Sequence, residues 1–179
     1  MELTYDQFLQ SKQKHHSVSG FDIDESELND LLFPFQKFCV KRALKNGKYA
    51  MFEGCGLGKT IQQLEWAKQV IIHTDKPVLI LCPLSVSAQT IQEGKKFGYD
   101  VVRYTNDLVT NTIYISNYEQ LENINTDLFS GVVLDESSII KNFQGATKKL
   151  IVKRFKNTPY KLACTATPSP NDPTDLNPI

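Results

Sequence analysis

Short apolar runs alternate with longer segments of helical character along most of this chain, and that alternation constrains the fold more than any other feature. The runs are Ala50-Met51-Phe52, Val78 to Cys82, Val101-Val102, Ile113-Tyr114-Ile115, Val132-Val133-Leu134 and Leu162-Ala163-Cys164. Between them lie helical patterns, notably at 59–73, 86–97 and 144–156. Strand, helix, strand order calls for crossover connections, so the pattern predicts an α/β domain with a mostly parallel sheet covered by helices on both faces. Val78-Leu79-Ile80-Leu81 shows no polar alternation and therefore suits a central strand buried on both sides. A further helix is expected from Phe35 to Lys45, with Pro34 in its first turn and Gly47 after its end. A chain of 179 residues fits one such domain, and in sheets of this kind ligands sit at the carboxyl ends of the strands.

The stretch Glu53-Gly54-Cys55-Gly56-Leu57-Gly58-Lys59-Thr60 lies where the first strand passes into a helix that begins near Ile61. Glycines there let the backbone take positive φ and turn its N–H groups toward a polyphosphate, and the helix N-terminus adds a favourable dipole. In that reading Gly54, Gly56, Leu57, Gly58 and Ile61 line the cradle, Lys59 reaches the β and γ phosphates of a nucleotide, and Thr60 holds Mg²⁺. Glu53 occupies the position where the usual phosphate-loop pattern begins with glycine. A second signal is Gly131-Val132-Val133-Leu134-Asp135-Glu136-Ser137-Ser138, an apolar strand ending in two carboxylates. Alone it is a common strand terminus. Coupled to a phosphate loop, it supplies Asp135 for the Mg²⁺ shell and Glu136 to orient or deprotonate a water attacking the γ-phosphate.

The total charge excludes little, since 20 basic and 20 acidic side chains cancel; any nucleic-acid contact must come from local patches or backbone amides. Cys39, Cys55, Cys82 and Cys164 form no C-x-x-C pair and read as reduced, mostly packed thiols of a cytoplasmic protein, with Cys55 expected to pack neutrally rather than to react. No apolar run approaches the roughly 20 residues of a membrane span, and Met1-Glu2-Leu3-Thr4 opens no signal peptide. His15-His16 has no companion His or Cys cluster and reads as solvated. From Lys141 to Lys156 the basic residues Lys149, Lys153 and Lys156 recur at helical spacing opposite Leu150, Ile151 and Phe155, which fits a solvated face over a core face.

Taken in order, the motifs resemble those of the first RecA-like domain of a superfamily 2 helicase, of the Swi/Snf translocase type and its bacteriophage relatives, from about Leu32 to Asn171. Leu32-Phe33-Pro34-Phe35-Gln36 resembles the adenine-reading glutamine motif, and Gly56-Leu57-Gly58-Lys59-Thr60 resembles motif I. Cys82-Pro83-Leu84-Ser85-Val86 resembles motif Ia, and Ile115-Ser116-Asn117-Tyr118-Glu119 motif Ib. Asp135-Glu136-Ser137-Ser138 with Lys141-Asn142 resembles motif II, and Thr165-Ala166-Thr167-Pro168 with Asn171 motif III. The resemblance implies a RecA-like P-loop domain whose last strand, about 160–165, lies between the phosphate-loop strand and the Asp135-Glu136 strand. It implies ATP and Mg²⁺ as cofactors and double-stranded DNA as partner. Gln36 would read adenine, since its amide complements the N6 and N7 edge. Pro83, Leu84, Ser85, Asn117 and Tyr118 would contact nucleic acid, and Thr165 and Thr167 would couple nucleotide state to that contact.

Three departures bear on coupling rather than on nucleotide binding: Ser138 stands for the histidine of the DEAH spelling, Ala166 for a frequent glycine, and Thr90 for a usual tryptophan. The expected organisation is an N-terminal extension over 1–31, the ATP-binding domain over 32–171 and a tail over 172–179 toward a second RecA-like domain that the chain lacks. That domain supplies arginine fingers worth about 10³–10⁵ in turnover in related phosphoryl-transfer systems, so these residues alone are expected to hydrolyse ATP very slowly. Two other readings stay open at this point: a non-catalytic nucleotide- or DNA-binding regulatory module, and an RNA-remodelling DEAD-box-like enzyme.

Overall fold

The computed structural model describes residues 18–137 and 145–166. Helix α1 (Pro34–Asn46) leads into β1 (Lys48–Phe52), then α2 (Lys59–Thr74), β2 (Val78–Cys82), α3 (Ser87–Lys96), β3 (Val101–Arg103), β4 (Ile113–Asn117), β5 (Gly131–Leu134), α4 (Gly145–Arg154) and β6 (Tyr160–Thr165). Pro34 occupies the first turn of α1, where its missing N–H has no intrahelical partner to lose, and Gly47 ends the helix at φ 71°. Two 3₁₀ turns, Tyr118–Asn123 and Thr126–Leu128, carry the chain from β4 to β5.

The strands form one six-stranded sheet in the order β1-β6-β5-β2-β4-β3, and every neighbouring pair is parallel. The last strand therefore lies between the phosphate-loop strand and the acid-bearing strand, in agreement with the resemblance. All five residues of β2 are buried, because helices and turns cover both of its faces. On one face Val78, Ile80, Val133 and Leu162 pack with Leu64, Trp66, Ala67 and Val70 of α2 and with Val40 and Leu44 of α1. On the other, Leu79, Leu81 and Val132 meet Leu121, Ile124, Phe129 and, from the α4 region, Ile151 and Phe155. Burying one such aliphatic or aromatic side chain stabilises the fold by about 1.5–3 kcal/mol, which is why the strand period and the α2 stripe dominate the architecture. Lys149, Lys153 and Lys156 lie on the exposed side.

The described part of the N-terminal extension is no separate unit. Leu28 is buried in the main core, Phe21 N–H donates to the Leu44 carbonyl at 3.2 Å, and the Phe21 ring stacks on His73 at 3.9 Å between centroids. A boundary at residue 32 therefore cuts through a packed layer. Residues 1–17 and 172–179, with Lys141, Asn142, Ser138, Thr167, Pro168 and Asn171, lie outside the described residues. Among the described residues no helix is long and apolar enough to cross a membrane.

Candidate active site

Because all six strands run the same way, the loops after β1, β2 and β4, the turn after β5 and the end of β6 share one rim of the sheet. The loop after β1 turns through two left-handed glycines, Gly56 at φ 80° and Gly58 at φ 74°, the latter capping α2. A Cβ at Gly58 would stand 2.5 Å from Gln36 Nε2, whereas at Gly56 it would meet no atom within 4 Å. Gly58 thus answers to packing behind the loop, and Gly56 to backbone shape on the open side. Lys59 folds back over the cradle, its Nζ donating to the carbonyls of Glu53 at 3.0 Å and Gly54 at 2.9 Å.

Three glutamines support this loop and its acidic neighbour. Gln36, nearly buried, donates from Nε2 to the Leu57 carbonyl at 2.9 Å and accepts at Oε1 from the Phe33 N–H at 2.9 Å. A primary amide has two N–H bonds and two lone pairs, so one of each remains beyond these contacts for an adenine edge. Gln62 donates to Glu53 Oε2 at 2.7 Å and lies 3.4 Å from each of the Leu57 and Gly58 carbonyls. Gln63 donates to Asp135 Oδ1 at 2.6 Å. Neither Gln62 nor Gln63 stands out in the motif reading. Their signal in the sequence is polarity on a helix whose apolar residues fall all around it, which marks buried amides needing partners.

The acid turn is pinned on both sides. Asp135 N–H donates to the Leu81 carbonyl at 2.8 Å and Ser137 N–H to the Cys164 carbonyl at 2.9 Å. Between them Glu136 adopts φ 51°, a left-handed conformation costing about 1–2 kcal/mol for a residue with a side chain. Burial pushes the Asp135 carboxyl above the usual carboxylate range, and the Gln63 amide, the Glu136 backbone N–H and the Lys59 charge oppose that rise. Lys59 and Asp135 therefore sit within electrostatic reach of one another, brought together across β6. Glu53 N–H donates to the Thr165 carbonyl at 3.2 Å, so the end of β6 also anchors the start of the phosphate loop.

The remaining residues distribute unevenly. Leu84 and Ser85 are exposed on the loop after β2, with Pro83 half-buried. Asn117 caps the following 3₁₀ turn by accepting from Gln120 N–H at 3.0 Å. Tyr118 departs from the expected nucleic-acid contact: its side chain is 3% exposed and its hydroxyl donates to the Asp135 carbonyl at 2.7 Å. A ring that far into the core cannot stack on a base without unpacking the turn, so Tyr118 braces the acid turn instead. Ile61 is likewise buried, leaving only its backbone for a phosphate. Thr165 is buried at the end of β6, and Thr60 is half-buried at the first turn of α2. Cys55 is exposed rather than packed. Among the described residues no three His, Cys, Asp or Glu side chains gather as a metal site.

A glycine cradle after the first strand, a lysine folded over it and an acid pair two strands away on the same rim define a RecA-like P-loop domain. No protein-family model matches the sequence. The mouse DNA annealing helicase and endonuclease ZRANB3 is 27% identical over 89% of this chain, and the SWI/SNF-related chromatin regulator subfamily A-like protein 1 of Xenopus tropicalis is 25% identical over 85%. This chain spans 17% of the length of each. Among solved structures, the Sulfolobus solfataricus SWI2/SNF2 ATPase core in complex with dsDNA superposes with a TM-score of 0.71 at 23% identity, over 86% of this chain and 36% of that one. The UvsW helicase of bacteriophage T4 gives 0.63 at 15% identity, over 93% and 61%. These two bear on the fold. Joined to the sequence similarity, they support a RecA-like domain similar to those of superfamily 2, Swi/Snf-type helicases.

Proposed function

We propose that the chain is the ATP-binding half of a DNA-dependent ATPase that couples hydrolysis to movement on double-stranded DNA, of the kind found in bacteriophage relatives and acting in the cytoplasm. The observation that carries this reading is the convergence of the glycine cradle, Lys59 and Asp135 on one rim, with Lys59 acting electrostatically on Asp135. The left-handed Gly56 and Gly58 fit a polyphosphate, and the oxygen set of Thr60 and Asp135 fits a hard cation that takes its remaining ligands from phosphate and water. Magnesium held by Thr60 and Asp135 would supply charge neutralisation to the bound phosphates.

On this reading Lys59 exchanges its two loop carbonyls for phosphate oxygens, and the backbone N–H groups from Gly54 to Ile61 hold the anion. Gln36 meets the adenine edge with its remaining N–H and lone pair. Glu136, on its constrained backbone, orients the attacking water and accepts its proton. Pro83, Leu84, Ser85 and Asn117 face the nucleic-acid track, and Thr165 with Thr167 links that track to the nucleotide. The second RecA-like domain is a partner that completes the site. The test is binding of fluorescent ATP to the 179-residue chain, followed by ATPase assays with duplex DNA, RNA and added second-domain protein. Lys59→Ala should abolish binding, and Glu136→Gln should preserve it while stopping turnover in the completed enzyme. Unchanged behaviour in both variants rejects the roles. Stimulation by RNA alone favours the remodelling reading, and no stimulation at all favours the regulatory one.

A further inference from the structure

Asp135 is held at every polar group the turn offers: its N–H by Leu81, its carbonyl by Tyr118 and its carboxylate by Gln63. The first two contacts fix the backbone. The carboxylate accepts from the Glu136 backbone N–H within the turn and from the Gln63 side chain, which reaches it from a position 1% exposed, three residues beyond Thr60 and thus on the same side of α2. The chemistry of that partner matters. An arginine or lysine there would orient the acid equally well, but its charge would compete with a cation for the same oxygens. A neutral amide takes one of about four lone-pair sites on the carboxylate and leaves the negative charge intact.

We propose that Gln63 is a positioning residue for the metal-side acid: it presents Asp135 to the divalent cation in a fixed orientation without neutralising it, and so sets how strongly the bound nucleotide depends on that cation. This rests on the nucleotide reading above. A merely structural role would instead make Gln63 a satisfied core amide, whose loss lowers stability and leaves cation dependence alone.

The experiment measures fluorescent ADP binding to the 179-residue chain in EDTA and across a Mg²⁺ titration, with Mn²⁺ electron paramagnetic resonance as a direct count of bound cation. Gln63→Met keeps the volume and removes the donor. Its half-saturating Mg²⁺ should rise by roughly tenfold, equivalent to about 1.4 kcal/mol, with affinity in EDTA unchanged and bound Mn²⁺ reduced in step. Gln63→Asn retains the amide one methylene short and should fall between, providing a second route should the methionine variant fold poorly. A folded variant with unaltered Mg²⁺ requirement overturns the proposal, as does an equal loss of affinity with and without cation. Absence of ADP binding by the unsubstituted chain in both conditions brings down the nucleotide reading itself, and this inference with it.

Discussion

Two clusters of buried polar groups on helix α2 are handled in opposite ways. In one, Glu65, fully buried, has both carboxylate oxygens engaged, one by Gln69 at 2.8 Å and the other by the Tyr99 hydroxyl. Tyr99 in turn accepts from Asn29, and Gln69 reaches the Glu27 carbonyl at 2.9 Å, so the network ties the N-terminal segment to the domain. In the other cluster Gln62 and Glu53 meet, yet Gln62 Oε1 and Glu53 Oε1 are buried without a protein partner, as is Trp66 Nε1 one turn on. This second cluster adjoins the left-handed Gly56, Gly58 and Glu136. Buried polar groups are normally satisfied, and where they are not, with strained backbone beside them, the region answers to something other than stability. One cluster ties the domain together; the other holds a shape that stability does not account for.

That contrast can be broken in four places. The largest effect is expected at Lys59→Ala, where loss of the only side-chain cation on the loop should weaken ATP by roughly a hundredfold or more, about 2.7 kcal/mol at tenfold per 1.4, while calorimetry shows little change in unfolding temperature. Tyr99→Phe attacks the satisfied cluster. It strands Glu65 Oε2 and should destabilise the chain by about 1–3 kcal/mol in urea unfolding, with ATP affinity unaltered; a matching loss of affinity would mean the two clusters are not independent. Next come the glycines. Gly58→Ala adds a clash with the buried, hydrogen-bonded Gln36 side-chain amide to a left-handed φ, and Gly56→Ala adds only the φ, so the first should cost more than the roughly 1 kcal/mol expected of the second.

The smallest effect runs in the opposite direction. Asp135→Asn removes a carboxyl whose proton affinity burial has raised, while its amide oxygen can still accept from Gln63. A folded-state pKa above the unfolded one means the ionised acid opposes folding, so this penalty is absent below the unfolded value near 3.8 and grows as pH rises through the raised one. The variant should therefore be more stable by on the order of 1 kcal/mol at pH 8, and the gain should shrink as pH falls toward 4. Paired urea titrations at the two pH values measure it. A gain independent of pH would assign the effect to packing.

Much of this was legible from residue order alone. Strand, glycine loop and helix follow from Phe52 to Ile61 by local physics, and Val132 to Glu136 announces a strand that ends in acid at the ligand rim. Insertion of β6 between those two strands is not contained in any spacing; it rests on long-range pairing, and the motif resemblance supplied it. Tyr118 shows where local reading fails. An aromatic residue after a strand serves equally as an exposed stacking platform or as a core plug, and only the 3₁₀ turn that also buries Leu121 decides between them. Gln62, Gln63, Glu65 and Gln69 were hidden for a related reason. Polar residues on a helix normally mark its wet face, but α2 has the sheet on one side and α1, α3 and residues 27–29 on the other, so its polar side chains must find partners inside.

The uneven exposure of the four cysteines turns the phosphate loop into an address for chemistry. Burial raises the thiols of Cys82, to about 12, and of Cys164, and it raises half-buried Cys39 as well, so their thiolates are scarce at neutral pH. Cys55 stands in the open between Gly54 and Gly56. A maleimide dye should couple there first, without any engineered site, and arriving nucleotide should shield the sulfur from the reagent. The native chain thus carries its own reporter at the one loop whose occupancy matters most.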